Sequence, residues 1–270
     1  MVVQHNLRAM NSNRMLGLTQ TTQSKSTEKL SSGYKINRAA DDAAGLAISE
    51  KMRRQIRGLT QASENAQDGI SCVQTAEGAL NEVHDMLQRM NELAVQAANG
   101  TNMSEDQKYL DLEVKQLISE IDRVADSTTF NEQSLLDGSF TGKNLQVGSE
   151  NGDVITLNIS AMDAGGLGVS GVSVSSASDA SSAISTIKSA ITTLSEQRAN
   201  LGAVQNRLEH TINNLDNVVE NTTAAESQIR DTDMATEMVK YSNNNILAQA
   251  GQAMLAQSNQ SNQGVLSLLQ

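Results

Sequence analysis

The longest regular pattern of apolar and polar positions in the chain runs from Gly45 to Ala98. Apolar or small residues recur there in alternating steps of three and four, which keeps them on one face of a single helix. They are Ile48, Met52, Leu59, Ala62, Ala66, Gly69, Val73, Ala76, Leu80, Val83, Leu87, Met90, Ala94 and Ala97. At 1.5 Å per residue this helix measures about 80 Å. Because a stripe of that length needs other long helices beside it, the pattern predicts an elongated bundle.

Two further stripes supply the neighbouring helices. The shorter one follows directly and consists of Leu110, Val114, Leu117, Ile121 and Val124. The longer one lies near the other end of the chain and consists of Ile184, Ile187, Ile191, Leu194, Leu201, Leu208, Ile212, Leu215, Val219 and Ile229. We therefore predict a mainly α fold in which three helices form a coiled-coil-like bundle.

The pattern changes to an alternation of apolar and polar residues near 144–160. Leu145 and Val147 precede Asn151-Gly152, and Ile155 and Leu157 follow it. Asn-Gly between alternating stretches is typical of a β-hairpin turn. Residues 160–182 are rich in Ser, Ala and Gly and show no strong periodicity, which is typical of an exposed loop or a weak strand. We predict a short variable loop there that tolerates surface variation.

Both chain ends are also helix-compatible, but they are unusually polar. A first segment runs from about Leu7 to Leu30, and the last thirty residues, from Tyr241 to Gln270, contain no charged side chain. Apolar residues persist in that tail between Asn and Gln, among them Leu247, Met254, Val265, Leu266, Leu268 and Leu269. A helix that packs on copies of itself and also lines a wet interior has this composition, and in isolation it is marginally stable.

Composition and charge exclude several classes of protein. The chain has no Pro or Trp and a single Cys, which excludes an internal disulfide. It has no apolar stretch of the length that spans a membrane and no signal-peptide core at its start, which by themselves indicate a soluble cytosolic protein. Net charge is −11, yet the first 60 residues carry ten Lys and Arg against four acids. These bases are dispersed among polar residues, so we interpret them as solvated or paired side chains and expect no nucleic-acid partner.

Candidate catalytic and ligand-binding residues are few. The run from Gly166 to Gly171 matches the dinucleotide-binding pattern in letters, but it opens no helix in a strand–helix repeat, so a flexible loop is the better interpretation. His5, His84 and His210 stand alone, without a second ligand at metal-binding spacing. Cys72 borders the stripe of the long helix, where a small buried side chain is favoured over a catalytic thiol. We predict no enzyme, no cofactor and no metal.

Three long motifs resemble those of bacterial flagellins. They are SSGYKINRAADDAAGLAI at residues 31–48, LAVQAANGTN at 93–102 and NLGAVQNRL at 200–208, and the closing VLSLLQ resembles the family's last residues. The resemblance covers about 1–160 and 184–270 of this sequence. It implies a short flagellin without large outer domains, a structural subunit of the flagellar filament. Such proteins leave the cell unfolded through the flagellar export channel without a cleaved signal, which would place this one outside the cell.

The same resemblance implies a domain organisation and a set of partners. Residues 1–44 and 231–270 would pair as an inner domain, and residues 45–230 would form a helical rod domain with the hairpin and the variable loop. The expected partners are other copies of the chain, a flagellin export chaperone, the export apparatus, and the filament cap and hook-junction proteins. The uncharged tail would serve polymerisation and chaperone binding through Leu247, Met254, Val265, Leu266, Leu268 and Leu269.

Flagellins similar to this one are also ligands of the host Toll-like receptor dedicated to flagellin. The resemblance assigns receptor binding to Arg89, Leu93 and Glu113. Arg89 and Leu93 are four residues apart and share a helix face, which we expect to be offset from the Met90–Ala94 stripe and free to meet a partner. Where many flagellins have a second Arg, this chain has Asn91, which removes one possible charge contact.

Two alternatives remain beside the filament subunit. A hook–filament junction protein shares the terminal helices, but usually matches flagellin poorly through the middle of the chain, where this sequence matches well. A secreted enzyme built on a flagellin frame would carry a metalloprotease insert, and this sequence contains no HExxH motif.

Overall fold

The computed structural model describes residues 6–267, with side chains through residue 261, and these residues form five helices and two short hairpins. The elements in chain order are α1 (Leu7–Ser32), α2 (Ala43–Ala97), α3 (Ser104–Ser127), β1 (Thr129–Phe130), β2 (Gln133–Ser134), β3 (Lys143–Gln146), β4 (Val154–Leu157), α4 (Ala177–Arg230) and α5 (Met234–Ser267). The predicted mainly α class is confirmed. The chain divides into two compact units, one comprising residues up to Ile56 together with those from Glu220, the other Arg57–Val219. Within the described range, no helix is both long enough and apolar enough to cross a lipid bilayer.

The core of the 57–219 unit follows the predicted stripe of α2. Residues from Val73 to Ala97 on this stripe are fully buried, and they pack with Val114 and Ile121 of α3 and with Ile187 and Leu194 of α4. Two smaller clusters continue the contact between α2 and α4, one containing Ala66 and Leu208, the other Leu59 and Leu215. The stripe fails at its start, in the other unit, where Ile48 is exposed.

Both hairpins are antiparallel, but only one of them was predictable. β3 pairs with β4, with Leu145 opposite Ile155, at the place where the alternation predicts a hairpin. β1 pairs with β2 around Asn131 and Glu132, both of which have positive φ, the backbone of a type I′ turn. Two-residue strands contain too little alternation to signal a hairpin in the sequence.

The expectation of an exposed loop at 160–182 is wrong. Residues 177–182 already belong to α4, and six side chains between residues 161 and 175 are buried in the main core: Met162, Ala164, Leu167, Val169, Val172 and Val174. Their spacing alternates between two and three residues, which is the period of neither a strand nor a helix. A Cβ at Gly166 would overlap the carbonyl oxygen of Ala161, so this glycine permits close packing of the segment.

Two carboxylates of α3 hold this core-lining segment in place. Asp122 accepts a hydrogen bond from the backbone N–H of Ala164 at 2.8 Å. Asp111, itself buried, accepts from the N–H of Val174 at 2.9 Å and from the hydroxyl of Ser173 at 2.7 Å. The two carboxylates lie three turns apart on one helix, so they fix both ends of the segment against the same element.

In the other unit, α1 and α5 lie antiparallel. Asn6 caps α1 by accepting the N–H of Ala9, and Gly33 ends the helix with a left-handed φ of 77°. Beyond that turn Tyr34 forms a β-bridge with Asp231, and the Arg230 guanidinium lies 4.8 Å from the centre of the Tyr34 ring. These contacts join the chain after α1 to the chain before α5.

Candidate interaction sites

Arg89 of α2 and Glu113 of α3 are brought together as an ion pair. The Arg89 guanidinium donates to Glu113 Oε1 at 2.9 Å and, from Nη1, to Glu92 Oε2 at 3.2 Å. The hydrogen bonds with Glu113 and then Glu92 raise the pKa of Arg89 above its usual range, so its charge is permanent. Both partners remain about half exposed, which leaves part of each charged group open to another molecule.

Leu93 does not lie beside them on the surface, and the expectation that it is free to meet a partner is wrong. Its side chain is 1% exposed and belongs to the main core together with Met90 and Ala94. At this end of α2 the helix packs against α3 as well as α4, so the buried sector is wider than one stripe. A helical-wheel argument from the α2 stripe alone cannot detect this second packing partner.

A group of exposed apolar side chains near the same end of α2 was not predicted. Tyr109 is 69% exposed and lies one helical turn before Glu113, and Leu112 is also exposed. Val95 and Met103 are exposed at and just after the end of α2. The signal was present in the sequence, because Tyr109 and Leu112 lie off the apolar stripe of α3.

On α5, the two predicted polymerisation residues with described side chains are exposed. Leu247 is 58% and Met254 61% exposed. Val265 and Leu266 lie on the last turn of α5, where only the backbone is described. Leu268 and Leu269 lie outside the described residues.

The α1–α5 pair places its large apolar side chains outward. Leu7, Met10 and Leu18 of α1 are exposed, as are Val239, Ile246, Leu247 and Met254 of α5. Helical periodicity puts Leu16 opposite Leu7 and Leu18, and Ala248 opposite Ile246. Leu16 and Ala248 are the buried apolar residues of the pair among its described side chains. The pair therefore buries few apolar side chains between its helices and presents most of its large apolar side chains on the outside.

The remaining candidate groups are the three histidines and the single cysteine. The His84 ring bonds the Gln88 amide at 2.8 Å, His210 is exposed, and His5 lies outside the described residues. Cys72 is 4% exposed, as predicted for a small buried side chain, and burial raises the pKa of its thiol. Within the described residues, no three His, Cys, Asp or Glu side chains are arranged to hold a metal ion.

Comparison with known families and proteins agrees with this arrangement. The model of the bacterial flagellin N-terminal helical region matches residues 3–141, and that of the bacterial flagellin C-terminal helical region matches residues 184–269. Full-length relatives include a flagellin of Halalkalibacterium halodurans, 55% identical over 271 residues, and the flagellar filament 31.3 kDa core protein of Treponema maltophilum, 50% identical over 286 residues. Each alignment covers 100% of both chains.

Two solved structures share the fold. Bacillus cereus flagellin superposes with a TM-score of 0.52 and 35% identity, covering 56% of this chain and 88% of its own. A putative flagellar hook-associated protein from Vibrio parahaemolyticus gives a TM-score of 0.60 over 71% of this chain and 100% of its own. At 14% identity, this second likeness concerns the fold alone.

Proposed function

Because the chain belongs to the bacterial flagellin family, we propose that it is a structural subunit of an extracellular flagellar filament. The observation that carries the proposal is the outward apolar surface of the α1–α5 pair. Ordering two helices costs conformational entropy that the few side chains buried between them do not offset. Burial of the outward rows against other copies supplies the missing stabilisation, and a head-to-tail contact repeated without closure builds a helical fibre.

Filament assembly can be tested by changing the polarity of the exposed apolar face of α5 alone, which includes Leu247 and Met254. Leu247→Gln combined with Met254→Gln keeps the helix length and removes two exposed apolar contacts, so we expect no filaments in electron microscopy after seed addition. Leu247→Met with Met254→Leu is the matched control that keeps this face apolar, and it should assemble.

Removal of Val265–Gln270 should also prevent growth while residues 45–230 stay helical by circular dichroism. Normal filaments from both the Gln variant and the truncated chain would refute the proposal. Failure of the parent to form long uniform filaments would favour a hook–filament junction protein.

The same outward row suits an export chaperone before assembly. An α5 helix that exposes Leu247 and Met254 and continues through Leu266 fits a helix-in-groove contact. Such a cover would keep the subunit from polymerising before it leaves through the flagellar export apparatus, without a cleaved signal peptide. At the filament, the cap and hook-junction proteins would be the partners of the terminal subunits.

We further propose that the monomer is a ligand of the host Toll-like receptor for flagellin through Arg89 and Glu113. Half-exposed charged groups on adjoining helices offer a guanidinium fork and a carboxylate to one partner surface. Leu93, buried beneath them, would support the position of α2 rather than contact the receptor. We expect subunit packing to cover this site in the filament and leave it open in the monomer.

Receptor binding is tested with monomer and the receptor ectodomain. Arg89→Ala should weaken binding on the order of tenfold, as for an interface anchor. Arg123→Ala removes another exposed arginine that pairs with a carboxylate of its own helix, and it should leave binding unchanged. Leu93→Ala should weaken binding only to the extent that it loosens α2, and hydrogen exchange of α2 measures that loosening. If Arg89→Ala and Leu93→Ala both bind as tightly as the parent, the assignment is wrong.

A further inference from the structure

The α1–α5 interface contains little apolar surface that could define how the two helices are aligned. Among its described side chains, the buried residues are Leu16, Ser26, Glu237 and Ala248. Gly251 faces Leu16, so the contact at the middle of α1 is nearly flat on the α5 side. A slide of one helical turn, about 5.4 Å, would replace Gly251 with the half-buried Leu255 opposite Leu16. This exchanges one apolar contact for another, so apolar packing does not by itself specify a register.

A buried polar contact lies near one end of this interface. The Ser26 hydroxyl donates to Glu237 Oε1 at 2.7 Å, and Lys240 Nζ approaches Glu237 Oε2 at 3.3 Å. The Glu237 side chain is 8% exposed. A carboxylate that loses its donor while still buried is costly, so a slide that separates Ser26 from Glu237 is opposed.

Two contacts farther along the pair agree with the same alignment. A Cβ placed on Gly251 would lie 3.8 Å from the Cβ of Leu16. At the far end, the Asn6 amide donates to the Ser258 carbonyl at 3.2 Å. The Ser258 hydroxyl of α5 also donates to Asn6 Oδ1, at 3.4 Å, and both Asn6–Ser258 contacts are only partly buried. The Ser26–Glu237 bond is shorter and buried, so its loss on a slide costs more.

We propose that the Ser26–Glu237 hydrogen bond fixes the register of α1 against α5. This inference rests on the proposed function, because only one register aligns the outward rows of the two helices for the next subunit. Buried polar groups are best known in helical coiled coils for specifying register at some expense of stability. Ser26 and Glu237 are therefore positioning residues for assembly and need not contact a neighbouring subunit.

The direction of slippage follows from the neighbouring charges. Lys29 lies one turn after Ser26 on α1 and is close enough to Glu237 to act on its carboxylate. Without the Ser26 hydroxyl, Glu237 gains most by moving toward Lys29. In an antiparallel pair this slide brings Leu255, rather than Gly251, opposite Leu16.

Engineered disulfides measure the register directly, in a Cys72→Ala background that removes the native thiol. Leu16→Cys with Gly251→Cys reports the native register, since 3.8 Å suits a Cβ–Cβ distance across a disulfide. Leu16→Cys with Leu255→Cys reports the slipped register. The measurement is the rate of intramolecular disulfide formation in the monomer under mild oxidation, read by non-reducing electrophoresis and peptide mass spectrometry. The ratio of the two rates reports which register is sampled each time the α1–α5 pair forms, even when the pair opens often.

In the parent, the 16–251 pair should oxidise faster than the 16–255 pair. Ser26→Ala should shift the ratio of the two rates toward 16–255 by about tenfold, the effect of one hydrogen bond to a charged group. Glu237→Ala should reduce the native preference, whereas Glu237→Gln should retain it because the amide oxygen still accepts from Ser26. Ser24→Ala removes an exposed hydroxyl that bonds its own helix, and it should leave the ratio unchanged.

An unchanged ratio in both Ser26→Ala and Glu237→Ala would overturn the proposal. So would an equal loss of both disulfides, because the bond would then stabilise the helices without selecting a register. Microscopy of the parent tests the filament separately. A parent that forms no filaments contradicts the proposed function and leaves the disulfide ratio as the measure of register.

Discussion

At the scale of single residues, the buried polar groups decide which parts of each unit are held in one arrangement. Asp111 is buried on α3 and receives hydrogen bonds from the core-lining segment, with Lys115 Nζ at 2.7 Å on its other oxygen. Burial alone would raise the pKa of this carboxyl, but the hydrogen bonds from Lys115, Val174 and Ser173 lower it below its usual value. Asp111 is thus a charged anchor for the core-lining segment, which has no regular secondary structure.

Asp111→Ala should destabilise the 57–219 unit by about 1–3 kcal/mol, because the Val174 N–H and the Ser173 hydroxyl lose their acceptor. Denaturant unfolding with hydrogen exchange at residues 172–176 measures the change. Asp126→Ala alters an exposed carboxylate of the same helix and should have little effect. Equal stability of the Asp111 and Asp126 variants would contradict the assigned role.

The lowered pKa of Asp111 also predicts how the stability of the core-lining segment changes with pH. A carboxyl whose folded pKa lies below its unfolded value stabilises the fold above the unfolded pKa, and this contribution disappears as pH falls through the folded value. Protection of residues 172–176 should therefore decline below about pH 4. In Asp111→Asn this part of the decline should be absent, and an identical acid profile in parent and variant would exclude Asp111 as its source.

Cys72 illustrates how burial governs reactivity. Its thiol is nearly inaccessible and burial raises its pKa, so little thiolate is available to a reagent. A disulfide reagent should react at least about 100-fold more slowly with the folded protein than with the unfolded chain. Ser71→Cys in a Cys72→Ala background moves the thiol one residue to an exposed position and should react quickly. Equal folded-state rates for the two positions would contradict the burial of Cys72.

At the scale of elements, α1 and α5 differ from α2 in how much they bury. The stripe of α2 from Val73 to Ala97 is enclosed by α3, α4 and the core-lining segment, whereas α1 buries Leu16 and Ser26 among its described side chains. Helices with so few buried contacts open locally at low free energy. The difference predicts that the two ends of the chain are ordered by assembly.

Amide hydrogen exchange tests this prediction. In dilute monomer, residues 1–40 and 235–270 should exchange rapidly, while residues 73–97 of α2 should be protected. In the filament, both ends should become protected. Slow exchange of both ends in the monomer would mean that the α1–α5 pair is stable without neighbours.

The elements also show which kinds of sequence signal are sufficient to predict where a helix or strand forms. A stripe of twelve buried residues between Leu59 and Ala97 determines α2 by period alone, and the Asn151-Gly152 turn between alternating residues locates β3 and β4. Leu93 was misplaced because its burial depends on α3, which a single-helix pattern does not include. The 161–175 segment was misplaced because its buried residues follow no regular period, and because its backbone is held by the hydrogen bonds that it donates to Asp111 and Asp122. The Ser26–Glu237 contact joins residues 211 positions apart, which no local pattern can indicate.

At the scale of the whole molecule, charge is divided unequally between the two units. Residues 57–219 carry nine basic and twenty-two acidic side chains, whereas the rest of the chain carries eleven basic and nine acidic ones. Copies packed side by side must therefore bring strongly acidic surfaces near one another. Repulsion of this kind is long-ranged at low salt and is screened within about 10 Å at 0.1 M.

Monovalent salt should accordingly accelerate filament growth. Raising NaCl from about 10 to 150 mM shortens the screening length severalfold, and light scattering or microscopy of seeded samples measures the growth rate. Glu64→Gln with Asp68→Asn removes two exposed acids from α2 and should weaken the salt dependence. The same dependence in parent and variant would show that repulsion between these acidic surfaces does not limit growth.

The outward apolar rows of α1 and α5 also set how a filament begins. A subunit that joins an existing filament tip finds a complementary surface already in place. Burial of its apolar side chains there immediately offsets the conformational entropy lost when its two ends become ordered. Two free subunits that meet in solution must order four helices for a single contact. Nucleation is therefore much less favourable than elongation. Polymerisation of the pure protein should show a lag that short fragments remove, and the number of filaments should be decided by where nuclei are supplied.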